Sequence, residues 1–216
     1  MEQLIKSFYD HGNKDQAKKM SAYMKDHFLY LGIQKPLRVE LQKEFIKQAK
    51  KQKKVDWDFI FILYDLPERE FQYLAVDYLL ALKDSLQKSD MDRIQRLIKS
   101  KSWWDSVDSL ASNIVGILCD KYPELVQSYI LSWAECDNIW LARVSILFQL
   151  KYKVNTDTEL LKFIISKNSN SKEFFINKAV GWALREYSKS DKEWVKSFLE
   201  ANTLQSLSVR EASKYL

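Results

Sequence analysis

Glycine and proline are scarce in this chain, which has 4 Gly and 3 Pro among 216 residues. Little punctuation is therefore left for β-turns, and an all-α chain is favoured. Cysteine is also sparse. Cys119 and Cys136 do not suggest a disulfide framework, and no CxxC pair indicates metal or redox chemistry. We expect no metal ion and no cofactor.

Long apolar runs are missing as well. The N-terminal stretch MEQLIKSFYDHGNKD has no apolar core of the signal-peptide type, and no segment approaches the roughly 20 apolar residues that span a bilayer. The sequence thus predicts a cytoplasmic protein that does not contact a membrane. A net charge of +5 and a pI near 8.9 indicate a mild preference for anionic partners.

Helical periodicity recurs along the whole chain. It predicts helices over about residues 2–10, 15–31, 37–52, 56–64, 67–83, 90–99, 102–118, 123–133, 137–150, 157–166, 171–187, 191–200 and 208–215. A repeat of about 35 residues is typical of paired helices that stack into a solenoid. We therefore predict a single α-solenoid domain over residues 1–216. Its N-terminal helices cover 1–52, its repeats about 56–187 and its capping helices 191–216.

Four segments align on one another, reading FQYLAVDY, WDSVDSLA, WLARVSIL and FINKAVGW. Each opens with an aromatic anchor, at Phe71, Trp104, Trp140 and Phe175, so the anchors lie 33, 36 and 35 residues apart. Asp108 stands four residues after its anchor and Trp182 seven after its own. Arg143 and Lys178 each stand three residues after theirs. Because these offsets share one helix face, stacked repeats are expected to bring them together in one concave groove.

Asp108 occupies a position that is small or apolar in the other repeats, at Ala75, Val144 and Ala179. An acid at such a position is either ion-paired in the core, here with Arg143 of the next repeat, or retained for chemistry. Both interpretations stay open. Ser102 and Asp105 are expected to form a capping box for a helix that starts at Trp103. Trp103 itself is expected to pack in the core.

Trp104 and Trp182 are expected to flank Asp108, with its carboxylate facing solvent. Two indoles around a carboxylate suit a cation, and the guanidinium of Arg143 suits a phosphate. A cationic nucleoside joined to phosphates satisfies all these groups, whereas an acidic protein partner satisfies only the arginine. Core packing remains the alternative for the two tryptophans.

Six blocks of sequence carry a family resemblance: AYMKDHFLYLGIQ (22–34), DLPEREFQ (65–72), KSWWDSVDS (101–109), DNIWLARVSILFQLKYK (137–153), SKEFFINKAVGWALREY (171–187) and LSVREASKYL (207–216). Over nearly the whole chain they resemble the bacterial DNA alkylation-repair glycosylases of the AlkD type, which are built from HEAT-like repeats. The resemblance implies base excision repair, by hydrolysis of the N-glycosidic bond of cationic N3- and N7-alkylated purines in duplex DNA. It also implies that the damaged nucleotide is not flipped into a pocket, unlike in most glycosylases. The chain departs most from the family before Tyr23.

The resemblance also assigns roles to residues. Trp104, Asp108 and Trp182 correspond to the catalytic trio, and Arg143 corresponds to a contact with the DNA backbone. Contacts near the minor groove of DNA are implied for Tyr23 and Gln34. Phe174 and Phe175 correspond to residues that form the wall of the cleft. Charge alone adds candidate phosphate contacts at Lys25, Lys151, Lys153 and Lys178.

An alkylated purine already carries positive charge, so it leaves as a neutral base without a general acid. The predicted site segments offer no second carboxylate, no histidine and no lysine aimed at the sugar. We therefore expect a monofunctional glycosylase in which ionised Asp108 stabilises the oxocarbenium character of the deoxyribose.

The expected partner is double-stranded DNA that contains alkylated purines, bound by a monomer without an obligate protein partner. The protein would associate with the nucleoid when bound to DNA. Two alternatives remain, namely a catalytically silent DNA-binding relative and a helical-repeat scaffold that binds a protein partner.

Overall fold

The computed structural model describes residues 2–216, and these residues form two compact units. The N-terminal unit ends at Leu86, and the C-terminal unit is Gln87–Leu216. Within the described residues the ordered elements are helices. The one β interaction among them is an isolated bridge between Leu29 and Glu68. The predicted all-α helical-repeat fold is confirmed. The assignment of residues 1–216 to one domain stays a prediction.

Five helices build the N-terminal unit: α1 Glu2–Asp10, α2 Lys14–Tyr23, α3 Lys35–Gln52, α4 Trp57–Asp65 and α5 Arg69–Ala81. Side-chain oxygens fix two of the starts. Asn13 Oδ1 accepts the N–H groups of two residues of α2, and Asp56 Oδ1 accepts one from α4, which satisfies donors that a helix N-terminus leaves unpaired. Pro36 occupies the first turn of α3, as predicted.

The helix predicted over 15–31 is wrong in its second half, because α2 ends at Tyr23. Lys25 and Asp26 have φ angles of 55° and 58°, and left-handed residues cannot continue a right-handed helix. The chain then turns on the buried carboxylate of Glu70, which accepts backbone N–H bonds of 2.9–3.0 Å from residues 31–33. Apolar periodicity extends through this segment but does not report backbone handedness.

The C-terminal unit holds eight helices, and all of them were predicted to within a few residues. In chain order they are α6 Met91–Lys99; α7, which runs from Trp104–Leu110 through a π-helical turn at Ala111–Val115 into Gly116–Lys121; α8, with a π-helical part Val126–Ile130 and an α-helical part Leu131–Ala134; α9 Ile139–Leu147; α10 Thr158–Asn168; α11 Phe174–Tyr187; α12 Lys192–Ala201; and α13 Ser206–Ala212.

Within this unit the helices pack as an inner row against outer partners. The inner helices α7, α9, α11 and α13 contact one another in sequence, so each lies beside the next. The outer helices α6, α8, α10 and α12 each pack against an inner helix. The core between them is aliphatic, with Leu110, Ile114, Val144, Leu147 and Leu184 completely buried. In the part of the chain that the structure describes, no helix is long and apolar enough to cross a bilayer.

Two glycines allow inner helices to approach unusually closely. A Cβ added at Gly116 of α7 would lie 2.3 Å from the carbonyl oxygen of Phe148, which directly follows α9. A Cβ added at Gly181 of α11 would lie 2.5 Å from the Cβ of Glu211 on α13. Neither separation is possible between real atoms, so any larger residue would force the helices apart. The two glycines therefore set the spacing of the helices that carry the site.

Candidate functional site

Most of the predicted site residues line a single pocket in the C-terminal unit. Its volume is about 300 Å³, and its lining residues are Trp104, Asp108, Arg143, Phe174, Phe175, Lys178, Trp182, Arg185 and Glu211. Every inner helix of the unit contributes. Three of the four segments aligned in the sequence contribute side chains to this pocket. They lie on α7, α9 and α11, which pack side by side.

Asp108 forms a two-pronged ion pair with Arg143 of the next repeat. Arg143 Nε donates to Asp108 Oδ1, and Arg143 Nη2 donates to Asp108 Oδ2, both at 2.7 Å. The Asp108 side chain is 13% exposed and that of Arg143 is 5% exposed. The expectation of a carboxylate facing open solvent is therefore wrong. The ion-pair interpretation describes the geometry, although the carboxylate still borders the pocket.

Arg143 has its nitrogens directed at the protein. Besides the two bonds to Asp108, its Nη1 donates to the carbonyl oxygen of Phe175. One arginine thus ties together the inner helices α7, α9 and α11. This arrangement holds the Asp108 carboxylate in one orientation, as a planar guanidinium does best. The predicted contact between Arg143 and the DNA backbone stays a prediction.

Burial and pairing act in opposite directions on Asp108. Burial raises the pKa of this carboxyl above its ordinary value, and the nearby charge of Asp105 adds slightly in the same direction. The hydrogen bonds and the charge of Arg143 lower the pKa but do not fully offset burial. The attraction between a carboxylate and an approaching cation is stronger in a poorly solvated site than in water.

The two predicted indoles border the pocket from different helices. Trp104 is the first residue of α7 and Trp182 lies in the middle of α11, and both are half-buried. The neighbours of Trp182 in the chain, Gly181 and Ala183, are buried. Trp182 is thus the residue that this turn of α11 presents to the pocket.

A cluster of aromatic rings supports the pocket wall. The ring of Trp103 lies 4.9 Å from that of Phe175 and 5.7 Å from that of Trp140. Phe174 is 56% exposed, lies 5.4 Å from Phe175 and lines the pocket with it. Trp103 therefore packs against the aromatic residues of the wall, but it is half-buried and not enclosed in the core as expected.

The predicted capping box at the start of α7 is wrong. The helix begins at Trp104, and the residue before it caps the helix without a side-chain bond. Ser102 Oγ instead donates to the carbonyl oxygen of Ile98 at 2.6 Å, and Asp105 Oδ1 accepts the N–H of Ser106 at 2.9 Å. The serine hydroxyl binds a carbonyl group at the end of the previous helix and does not cap the next one, because its acceptor lies four residues upstream.

Glu211 and Arg185 are pocket residues that the sequence analysis missed, and Glu211 corrects the expectation of no second carboxylate. Glu211 is 8% exposed and binds Lys178 at 2.9 Å, Arg185 at 2.8 Å and Lys214 at 2.8 Å. Hydrogen bonds from Lys214 and Lys178, together with the charges of these two lysines, lower the pKa of Glu211 from 4.5 to about 2. Lys178, which the repeat alignment placed on the groove face, also lines the pocket. In the sequence, the only local sign of the Glu211 cluster is the three-residue spacing of Glu211 and Lys214. Such pairs are common on any exposed helix, so this spacing does not identify a site.

The other predicted DNA contacts lie outside this pocket. Tyr23 is 73% exposed at the end of α2, Lys25 follows in the left-handed turn, and Gln34 caps α3 and contacts Gln16 at 3.4 Å. These three belong to the N-terminal unit.

The remaining lysines belong to the C-terminal unit. Lys151 donates to Asn113 Oδ1 of α7, and Lys153 is exposed in a left-handed turn. Among the described residues, no group of three or more acidic, histidine or cysteine side chains is placed to hold a metal ion.

The fold and the pocket together define a helical-repeat protein whose inner helices unite two indoles, a paired carboxylate and several cations. A family model described as DNA alkylation repair enzyme matches residues 4–216, so the chain belongs to this family of DNA repair proteins. A solved structure described as a predicted DNA alkylation repair enzyme from Enterococcus faecalis is similar to it. That structure shares 33% sequence identity, the similarity covers 95% of this chain and 96% of the other, and the TM-score is 0.87. No curated protein matches this chain.

Proposed function

We propose that this protein is a monofunctional DNA glycosylase that hydrolyses the N-glycosidic bond of cationic N3- and N7-alkylated purines in duplex DNA. The observation that carries the proposal is the meeting of Trp104, Asp108 and Trp182 in one pocket, although the three residues belong to two different helices. Membership of a DNA alkylation repair family supports the choice of DNA as substrate.

The chemistry required of such an enzyme matches the charges that the pocket offers. An alkylated purine leaves as a neutral base, so positive charge collects on the deoxyribose in the transition state. Asp108 would stabilise that charge from a poorly solvated position. The faces of Trp104 and Trp182 would exclude water and add cation–π attraction, which contributes on the order of 0.5–2 kcal/mol for each ring.

Arg143 has a positioning role in this proposal. A carboxylate has about four lone-pair sites, and the bonds from Arg143 to Asp108 occupy one on each oxygen. The sites that remain can accept hydrogen bonds from a water molecule that attacks the anomeric carbon. Because Arg143 fixes the plane of the carboxylate, the direction of those sites is fixed before DNA binds.

The second carboxylate of the pocket is unsuited to act as a general acid. Glu211, with a pKa of about 2, is ionised at neutral pH and has no proton to donate. The Nζ of Lys178 is held at 2.9 Å by an ion pair with that carboxylate, so its attack on the sugar would have to break this pair. These two features support hydrolysis without a general acid and without strand cleavage.

The proposal includes action on the damaged nucleotide without base flipping. The groups that line the pocket are suited to a cationic sugar and a phosphate. The family resemblance implies that the damaged nucleotide is not flipped. Candidate phosphate contacts remain Arg143, Lys25, Lys151 and Lys178, with Tyr23 and Gln34 directed at the minor groove. We expect affinity for duplex DNA to fall steeply with salt, because each neutralised phosphate releases counterions.

The deciding experiment is base release from methylated duplex DNA. Purified protein is incubated with DNA treated with a methylating agent, and free N3-methyladenine and N7-methylguanine are measured by mass spectrometry. Release of either base, with no covalent complex after borohydride reduction, is the expected result. Duplex binding without release would instead favour the catalytically silent relative. A lack of both would favour the protein-binding scaffold.

A further inference from the structure

Arg143 and Arg185 both line the pocket, but they differ in the donors they have left. Arg143 uses Nε, Nη1 and Nη2 in bonds to the protein. Arg185 donates from Nη1 to Glu211 at 2.8 Å, and its other nitrogens have no partner among the described residues. Lys178 likewise gives one bond, to Glu211 at 2.9 Å, although an ammonium has three donors. The side chain of Arg143 is also only 5% exposed, whereas those of Lys178 and Arg185 are 37% and 22% exposed, so these two cations are the more accessible to an anion at this pocket.

Glu211 holds these two cations on either side of an indole. Lys178, Trp182 and Arg185 are four and three residues apart on α11, so they share one helix face. Glu211 Oε1 accepts from Lys178 and its Oε2 accepts from Arg185. One carboxylate thus spans two turns of α11 and brackets Trp182 between its two partners.

The position of Glu211 is itself fixed by close packing of α13 on α11. The absence of a side chain at Gly181 leaves room for the Cβ of Glu211. One turn away, the buried hydroxyl of Ser208 donates to the carbonyl oxygen of Asn177 at 2.9 Å. The carboxylate therefore rests on two rigid contacts and not on a mobile chain end. A preorganised group of this kind can position others without a cost at the moment of reaction.

We propose that Glu211 is a positioning residue, which aims the unused donors of Lys178 and Arg185 at one phosphate group of the DNA strand beside Trp182. The charge count supports this assignment. Glu211 has one negative charge against three cations, Lys178, Arg185 and Lys214, so the cluster retains a net charge of about +2 for an anion. The inference rests on the proposed function only for the choice of a DNA phosphate as the anion.

The first test uses Glu211→Gln, which keeps the shape of the side chain and removes its charge. Glu193→Gln is the matched control, because Glu193 forms a 2.8 Å ion pair with Lys196 on the exposed surface of α12. Under single-turnover conditions, we expect Glu211→Gln to release N7-methylguanine about 10-fold more slowly, as a small misplacement near the chemistry does. Glu193→Gln should match the wild type.

A mutant cycle distinguishes positioning from a general loss of structure. If Glu211 acts through its partners, Glu211→Gln should slow release by no more than about 2-fold in a protein that also carries Lys178→Gln and Arg185→Gln. Equal slowing in both backgrounds would overturn the proposal. So would an unchanged rate for a Glu211→Gln protein that is folded by circular dichroism.

A binding measurement covers the cases in which Glu211→Gln fails to fold or the wild type releases no base. The salt dependence of affinity for an undamaged duplex is measured by fluorescence anisotropy. Arg185→Gln should reduce the slope of log affinity against log salt by about 0.9, the value for one phosphate contact, and by less in the Glu211→Gln background where that protein folds. An unchanged slope for Arg185→Gln would refute the phosphate assignment. Failure of base release alone would refute only the proposed function.

Discussion

Replacing Asp108 by asparagine exchanges one carboxylate oxygen for an amide nitrogen inside the ion pair with Arg143. Both oxygens accept a guanidinium bond at 2.7 Å, so the amide group would face a guanidinium N–H with a donor of its own. The variant keeps the volume of the side chain but loses its charge and one of its two bonds. Stability and chemistry are therefore both affected, and the two effects have to be measured separately.

The expected loss of stability is moderate. Breaking one charge-assisted bond and leaving a guanidinium without its counter-ion costs about 2 kcal/mol in a partly buried pair, which is less than the roughly 3–5 kcal/mol of a fully buried pair. Burial already raises the pKa of Asp108, so its surroundings tolerate a neutral group better than those of an ordinary ion pair. For a chain of this size the melting temperature should fall by about 4–8 °C.

The expected loss of chemistry is larger. Removing a preorganised charge that stabilises the transition state slows a reaction by about 10²- to 10³-fold. We therefore expect Asp108→Asn to release N7-methylguanine at least 100-fold more slowly, on the scale of that same range, while affinity for undamaged duplex DNA is retained. Single-turnover base release at 20 °C, with melting curves recorded in the same buffer, separates the two effects.

Asp77→Asn is the matched control for this experiment. Asp77 pairs with buried Arg38 at 3.4 Å and accepts a 2.8 Å bond from Gln42, all within the N-terminal unit. The same substitution there should lower the melting temperature by a similar amount and leave base release unchanged. Wild-type release by Asp108→Asn would remove Asp108 from the mechanism, and equal slowing by Asp77→Asn would show that lost stability explains the effect.

Three further predictions concern the pocket and the helices around it. Trp182→Ala should slow base release by about 2- to 30-fold, as expected for a cation–π contact of about 0.5–2 kcal/mol, whereas Trp182→Phe should retain most activity; equal rates for both variants would argue against a contact with the ring. Gly116→Ala should cost about 1–3 kcal/mol in urea unfolding, because its Cβ would collide with Phe148 O at 2.3 Å. Gly12→Ala, with nearest atoms at 3.3 Å, should cost less, and a reversed order would contradict the close approach. Finally, the pKa of Glu211 is lowered to about 2, so its ion pairs stabilise the fold above pH 4.5 and this stabilisation disappears as the pH falls toward 2. The difference in stability between wild type and Glu211→Gln, about 1–2 kcal/mol after allowance for nearby water, should therefore shrink between pH 6 and pH 3, and a constant difference would be inconsistent with the lowered pKa.

Much of the fold could be predicted from the sequence because helices of this type are defined by local periodicity. The inner helices and their alignment at Trp104, Trp140 and Phe175 follow from apolar spacing alone. The end of α2 could not be predicted in this way, since Lys25 and Asp26 have ordinary side chains and only their backbone is left-handed. The π-helical turn after Asp108 could not be predicted either, because its side chains are also typical of an ordinary α-helix.

The site was predictable in its members but not in its pairings. An acid at the apolar position of the repeat identified Asp108, and the offset of Arg143 placed a cation beside it. Whether the two would bind each other or leave both for a ligand depends on how closely α7 and α9 pack, which the sequence pattern does not specify. Glu211 lies on a short helix outside the aligned segments, and it reaches the pocket only because Gly181 leaves room.

The bonds that define the pocket join residues far apart in the chain, with separations of 35 residues for Asp108 and Arg143, 33 for Lys178 and Glu211, and 26 for Arg185 and Glu211. Repeat arrays commonly gain or lose whole units, since each unit contacts only its neighbours. Here a duplication or deletion between Trp104 and Glu211 would put the wrong unit opposite each charge. Changes in the number of units are therefore compatible with an intact pocket only when they fall outside this stretch of the chain.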